Sequence, residues 1–270
     1  MSKRVIDAAV PPDAGAPLLT LQGLTLRAGQ RVLLQGLSMA VQPGELWCVI
    51  GANGSGKTSL LHTLAGLRRP SSGNVVLQGR PLGDWSPGQA AGLRGLLPQA
   101  LHDAFAARAI DVVLAGRHPH LSRWAWESAA DRALALEALH QVDLDGFADR
   151  DVLTLSGGER QRVGIAALLA QDPLLLLLDE ALAHLDLKHQ VSVLEHLAQL
   201  VRQRGKAMLL SIHDLNLARR FATHVLLLGG PGQAACGPVR EVMTEAALSE
   251  AFGHRVMRVD VGAQTLFVPA

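Results

Sequence analysis

With 270 residues, a formal net charge of +1 and 49% hydrophobic residues, the chain is long enough to bury a full α/β core, as one large domain or a domain with a subdomain. Its near-neutral balance, with cations scattered rather than massed, argues against a nucleic-acid binder. Mean hydropathy is high at +0.21, yet the longest aliphatic runs, Leu174 to Leu178 and Val225 to Leu228, fall far short of the roughly 20 residues that span a bilayer.

In chain order, Met1 to Pro17 is rich in Ala, Pro and Asp, lacks the apolar segment of a secretory signal and reads as a loose tail. From Leu18 to Val41, short apolar segments broken by Gly23, Gly29 and Gly36 predict an antiparallel hairpin or meander. A strand over Glu45 to Ile50, a Gly-rich loop and a helix over Ser59 to Gly66 follow. Pro70-Ser71-Ser72-Gly73 is a turn, Asn74 to Leu77 a strand, and Leu96-Leu97-Pro98 ends another strand leading into Gln99. From about Ala104 to Leu153 helical periodicity takes over, in Ile110 to Gly116 and Ser128 to Val142, joined by a polar-aromatic link from Arg117 to Trp126. This block reads as a helical insertion within an α/β core.

Strand–helix alternation then resumes: helix Gly157 to Ala170, strand Leu174 to Leu178, helix Leu187 to Arg204, strand Ala207 to Ile212, helix Asp214 to Phe221 and strand His224 to Leu228. A helix near Thr244 to Ala251 and a hairpin around Arg255 to Val268 complete the chain. The alternation implies a largely parallel sheet with helices on both faces, in which fully aliphatic strands are buried on both sides. Cys48 and Cys236 lie far apart in apolar contexts and read as reduced thiols.

Three motifs carry chemistry. Gly51-Ala52-Asn53-Gly54-Ser55-Gly56-Lys57-Thr58, followed by Ser59, joins a buried strand to a helix. Backbone N–H groups of such a loop wrap phosphate oxygens, and the helix presents its positive end to the same anion. Lys57 adds charge for the β/γ-phosphates and the Thr58 hydroxyl can ligate Mg²⁺. Asp179 and Glu180 end an aliphatic strand; beside a phosphate loop the first acid suits Mg²⁺ and the second suits orienting or deprotonating a water. Leu155-Ser156-Gly157-Gly158-Glu159 opens a helix. Ser156 and Glu159 have capping-box spacing, but two adjacent glycines cost about 1 kcal/mol each in a helix and leave bare backbone for a phosphate to approach.

The phosphate loop, Gln99, Leu-Ser-Gly-Gly-Glu, the Asp179-Glu180 strand, Leu185-Asp186 and His213 together resemble the ATPase subunit of ABC transporters, from about Leu18 onward. The resemblance implies an α/β fold. Its parts are a P-loop NTPase core with a mostly parallel sheet, an N-terminal antiparallel β subdomain and an α-helical insertion subdomain at about 104–155, all within a nucleotide-binding domain over 18–270. It implies two copies stacked head to tail with ATP and Mg²⁺ between one copy's phosphate loop and the other's Ser156, Gly157 and Gly158. Glu180 would polarise the attacking water, His213 would contact the γ-phosphate, and Gln99 would touch Mg²⁺ or water. Asp179 would hold Mg²⁺ and Asp186 would cross the dimer interface. Membrane permease subunits, and through them a substrate-binding protein, are the implied partners, at the cytoplasmic face of the inner membrane.

Two positions depart from the family pattern. Ala28 stands where the family often stacks adenine on an aromatic ring, so that the base must rely on Arg27, Leu33 or other apolar contacts and GTP use stays open. Ala181 replaces the usual Pro after the acidic pair, which gives the loop after Glu180 more freedom. Within the family, Gly116-Arg117-His118-Pro119-His120-Leu121, Trp126-Glu127-Ser128, Ala183-His184-Leu185-Asp186 and Phe252-Gly253-His254-Arg255 resemble importers of iron–siderophore, haem or cobalamin, with cobalamin the single cargo most favoured. An exporter's ATPase and a regulatory module that binds without turnover are the alternatives.

Overall fold

The computed structural model describes residues 15–100, 105–122, 126–262 and 264–270. The expected tail before residue 15 and the centre of the 117–126 link lie outside them.

The chain opens with β1 (Leu19–Ala28) and β2 (Arg31–Val41), paired antiparallel from Leu19↔Val41 down to Ala28↔Arg31. Gly29, at φ +58°, supplies the left-handed turn residue that lets them reverse in two residues. Next come β3 (Leu46–Gly51), α1 (Lys57–Leu64), β4 (Ser72–Leu77) and β5 (Arg80–Pro81). They are followed by α2 (Pro87–Leu93), β6 (Arg94–Leu97), α3 (Ala109–Ala115) and α4 (Ala129–His140). The second half runs α5 (Gly157–Gln171), β7 (Leu175–Asp179), α6 (Leu187–Arg204), β8 (Ala207–Ser211) and α7 (Leu215–Phe221). It ends with β9 (His224–Leu228), β10 (Ala234–Pro238), α8 (Val239–Val242), α9 (Glu245–Phe252), β11 (Val256–Val261) and β12 (Gln264–Pro269).

Two main sheets result. The antiparallel one has the order β2-β1-β4-β5; the other, β10-β9-β3-β8-β7-β6, is parallel except for its β10 edge. Period-2 alternation divides its strands between two hydrophobic clusters. Leu46, Cys48 and Ile50 of β3, with Leu176 and Leu178 of β7, face the helices α3 to α7. Trp47 and Val49, with Leu175 and Leu177, face α1 and the antiparallel sheet. Both faces are therefore covered, and continuous leucine runs become the stable choice. Cys48 is buried in this core, and burial pushes its thiol up to about 12. Both cysteines are free.

The structure adds four strands and helices to the sequence expectations, β5, α2, β10 and α8. α2 begins with a full Ser86–Gln89 capping box, and β10 pairs with β9 as an antiparallel edge. α1 also starts two residues earlier than expected, which puts Lys57 and Thr58 in its first turn.

One junction fixes how the helices stack. α3 crosses α5 so closely that a Cβ on Gly116 would lie 2.2 Å from the Ala167 carbonyl oxygen. Beyond it, Arg117 donates to Asp131 (3.0 Å) and to the Ala170 carbonyl (2.7 Å), and His120 Nε2 lies 2.7 Å from the Gln171 carbonyl. Asp131 is itself held down at about 2, first by the Ser128 hydroxyl and amide and then by Arg117. Cationic and ring N–H donors thus gather at the carbonyl end of α5, where the helix dipole favours them.

Candidate functional site

Four strands of the parallel sheet deliver the site. β3 ends at Gly51, β7 at Asp179, β8 at Ser211, and β6 runs through Pro98 into Gln99. These carboxyl ends form the edge where α/β sheets bind ligands.

Gly51 has no room for a side chain: a Cβ there would lie 2.7 Å from both the Leu228 carbonyl oxygen and Ser55 Oγ. Gly54 and Gly56 take the left-handed conformation at φ +73° and +110°, which curls the loop onto the start of α1. Lys57 is buried and donates to the loop's own carbonyls, Gly51 at 3.0 Å and Ala52 at 3.3 Å, with Glu180 Oε1 3.9 Å away. Burial pulls its ammonium below the usual lysine range, against the opposing pull of Glu180 and Asp179. Ser55 Oγ is buried without a hydrogen-bond partner. Ser59 Oγ is already taken, accepting from Arg68 at 3.1 Å, and Arg68 also donates to the Arg27 carbonyl.

The acidic pair is held by one hydroxyl. Ser211 Oγ donates to Asp179 Oδ1 (2.7 Å) and accepts from the Glu180 amide (2.8 Å). Glu180 sits at φ +48°, a left-handed conformation uncommon outside glycine, which that bond helps to hold. Its carboxylate is gripped on both oxygens: Gln99 Nε2 donates to Oε2 at 2.7 Å, and His213 Nε2 lies 2.7 Å from Oε1. The carboxylate is thus fixed by its own neighbours, whatever freedom Ala181, itself fully buried, lends the following turn.

Asp179 is wholly buried, and its Oδ2 has no hydrogen-bond partner. Among the described residues no cluster of three or more His, Cys, Asp or Glu could cage a metal. One carboxylate oxygen left over beside a phosphate loop and the Thr58 hydroxyl fits Mg²⁺, which binds through one or two carboxylates plus phosphates.

These groups surround a cavity of about 670 Å³. Asn53, Gly54, Gly56 and Lys57 to Ser59 form one side, Gln99, Glu180 and His213 another, and Ala28, Arg31 and Leu33 from the β1–β2 hairpin a third. The expected loop residues, Gln99, Glu180 and His213 therefore come together. Of the base contacts expected, Leu33 lines the cavity, whereas Arg31 stands there in place of Arg27.

The comparisons with known proteins agree with this geometry. Residues 34–183 match the family model described as ABC transporter. The chain belongs to the ABC transporter ATPase family. A relative in Myxococcus xanthus, the Hemin import ATP-binding protein HmuV, is 41% identical over 90% of this chain and 92% of its own. Among solved structures, an inward-facing metal-chelate type ABC transporter superposes with a TM-score of 0.82 at 29% identity, covering 94% of this chain and 98% of its own. A dimeric bacterial ABC transporter cassette gives 0.72 at 27% identity, over 82% and 99%. Among the described residues no helix of this ABC ATPase is long and apolar enough to cross a membrane.

Eight expected residues do not line the cavity: Gly51, Ala52, Ser55 and Asp179, which belong to the loop and strand end beside it, and Ser156, Gly157, Gly158 and Asp186, which belong to neither. Ser156 caps α5 in a reciprocal box with Glu159, accepting from its amide at 3.3 Å and donating its own to Glu159 Oε2 at 2.8 Å. The two glycines behind it differ. A Cβ on Gly158 would meet the His184 carbonyl oxygen at 2.9 Å, so packing alone requires glycine there, whereas a Cβ on Gly157 would meet nothing closer than His184 Cβ at 4.0 Å. Asp186 caps α6 and accepts from the His189 amide (2.9 Å) and ring Nδ1 (2.8 Å).

The sequence reading passed over Ser211. A polar residue ending an aliphatic strand two positions before His213 was the available signal. Replacing it with Ala leaves the Glu180 amide and Asp179 Oδ1 without their partner. Turnover of the ABC ATPase is expected to fall about 10- to 100-fold, with nucleotide affinity nearly unchanged. Steady-state kinetics beside ATP titration separates the two, and a Thr at 211 should recover most of the loss.

Proposed function

We propose that this chain is the ATP-hydrolysing subunit of an importer that moves a metal chelate through a separate membrane permease, with haem as the cargo. The observation that carries the reading is the convergence of Gln99, His213 and Lys57 on Glu180 beside the phosphate loop. Haem is preferred to cobalamin because the Myxococcus relative carries haem import in its name.

In this reading the triphosphate lies along the backbone of Gly51, Ala52, Asn53, Gly54, Ser55 and Gly56, with Thr58 and Ser59 at its side. Lys57 exchanges the carbonyls of Gly51 and Ala52 for β- and γ-phosphate oxygens. Mg²⁺, when bound, neutralises phosphate charge; Asp179, Thr58 and Gln99 would hold it. His213 turns from Glu180 to the γ-phosphate, which frees a carboxylate oxygen for water. Glu180 takes the proton as the water oxygen attacks phosphorus and the bond to the β-phosphate oxygen breaks, giving ADP and phosphate.

Because Ser156, Gly157 and Gly158 stand outside the cavity, a second copy supplies them, head to tail, to each triphosphate. The open backbone at Gly157, at the positive end of α5, suits that contact, and Asp186 crosses the same interface. Closing and opening of the pair pass through the helical subdomain at about 104–155, inside a nucleotide-binding domain over 18–270, to permease subunits fed by a substrate-binding protein. The pair works peripherally, at the cytoplasmic face of the inner membrane, and no nucleic acid takes part.

Deleting this chain in its host is expected to abolish energy-dependent haem uptake and leave cobalamin uptake intact. Loss of cobalamin uptake alone would change the cargo. Intact uptake of every chelate, together with Mg²⁺-dependent ATPase activity in the purified chain, would point to an exporter. Binding without turnover, even with a permease, would leave a regulatory module.

A further inference from the structure

We propose that the Arg31 guanidinium is the plate on which this ATPase lays the nucleobase, and that it admits adenine and guanine alike. The proposal rests on the nucleotide-binding reading above and adds which group meets the base and which triphosphates follow.

The β1–β2 turn places Ala28 opposite Arg31. Along β2, Arg31 and Leu33 are two residues apart and so share a face; both line the cavity with Ala28. The Arg31 side chain also reaches back toward the phosphate loop, its Nη1 3.8 Å from where a Cβ on Gly54 would stand. It therefore lines the cavity next to the loop that takes the phosphates.

Neither Phe nor Trp lines this cavity among the described residues, and the chain has no Tyr at all. Trp47 is stacked on His224, with centroids 4.7 Å apart, and Trp85 lies beneath Arg80. The other cations at the site have partners: Lys57 holds the loop carbonyls, and Arg68 holds Ser59 and the Arg27 carbonyl. Among the described residues neither a carboxylate nor a carbonyl pairs with Arg31. A flat, delocalised, weakly hydrated cation beside Leu33 suits the face of an aromatic heterocycle. Stacking reads the π-face and not the hydrogen-bonding edge, so it separates purines from pyrimidines by area while treating adenine and guanine alike.

The test measures affinity for MgATP, MgGTP, MgCTP and inorganic tripolyphosphate by calorimetry on the full chain, with Arg31→Ala and Arg31→Tyr beside it. Wild type is expected to bind ATP and GTP within about threefold of each other and CTP more weakly. Arg31→Ala should weaken ATP and GTP about fivefold and leave tripolyphosphate unchanged, while Arg31→Tyr should restore both purines. An equal loss for ATP and tripolyphosphate would make Arg31 a phosphate ligand and overturn the proposal. So would an Ala variant that binds ATP like wild type, or a wild type that rejects GTP. Failure of wild type to bind any of the four, tripolyphosphate included, would instead overturn the nucleotide reading itself.

Discussion

Glu180→Gln is expected to lower ATP turnover at least about 100-fold while leaving ATP affinity within a few-fold of wild type. The amide keeps the shape and can still accept from His213 or Gln99, both 2.7 Å from the carboxylate in the native chain. What it loses is the ability to take a proton from water. With chemistry stopped and binding intact, ATP should hold two copies together, so light scattering should find a nucleotide-dependent dimer that ADP does not support. Wild type should hydrolyse with a steep dependence on protein concentration, because each cavity lacks the α5 glycines of its own chain. A variant that loses ATP binding in proportion to turnover would make Glu180 a binding group. A variant that keeps turnover would move the base elsewhere.

Gly116→Ala should destabilise the fold by about 3 kcal/mol or more, lowering the melting temperature by roughly 5–10 °C. The added methyl would stand 2.2 Å from the Ala167 carbonyl oxygen and 3.0 Å from that of Val113. Both obstacles are backbone in packed helices, so neither can swing aside as a long side chain would. α3 and α5 must separate, and Arg117 and His120 then lose their reach to the Ala170 and Gln171 carbonyls. Gly88→Ala is the matching control. Gly88 lies within α2, has nothing within 4 Å of the added carbon, and its replacement should raise stability slightly through helix propensity. Equal melting curves for the two variants would contradict the close crossing.

Local chemistry explains what was legible in the sequence. Leu174 to Leu178 and Val225 to Leu228 announced strands covered on both faces because no half-exposed strand tolerates such a run. The phosphate loop was legible because its glycines, lysine and threonine are contiguous. Glu180 was legible as one of two acids ending an aliphatic strand beside a phosphate loop; Gln99 and His213 were found through a family likeness, and the fold brings each of them within hydrogen-bond reach of Glu180. α2 was missed although Ser86 and Gln89 spell its cap, because seven residues carrying two glycines and a proline show little helical preference. β10, Ala-Ala-Cys-Gly-Pro, has no strand preference of its own and exists through its pairing with β9. Ser211 was hidden for a different reason. Its role depends on β7 and β8 lying side by side with Asp179 opposite it, a non-local fact that no spacing in the chain encodes. Arg31 was hidden by the hairpin turn, which carries it to the cavity wall expected of Arg27.

The grip on the far end of α5 has a mechanical consequence. Fifteen residues make that helix about 22 Å long. Its last turn is tied by Arg117 and His120, and the Gln171 amide reaches the carbonyls of Ala91 in α2 and of Arg94 at the start of β6, the strand that runs on into Gln99. The helix is thus a lever with its foot geared to the strand that leads to Gln99 and its tip bearing Gly157. A tilt of about 5° at the foot swings the tip by about 2 Å, enough to make or break a hydrogen bond to a phosphate held by another molecule.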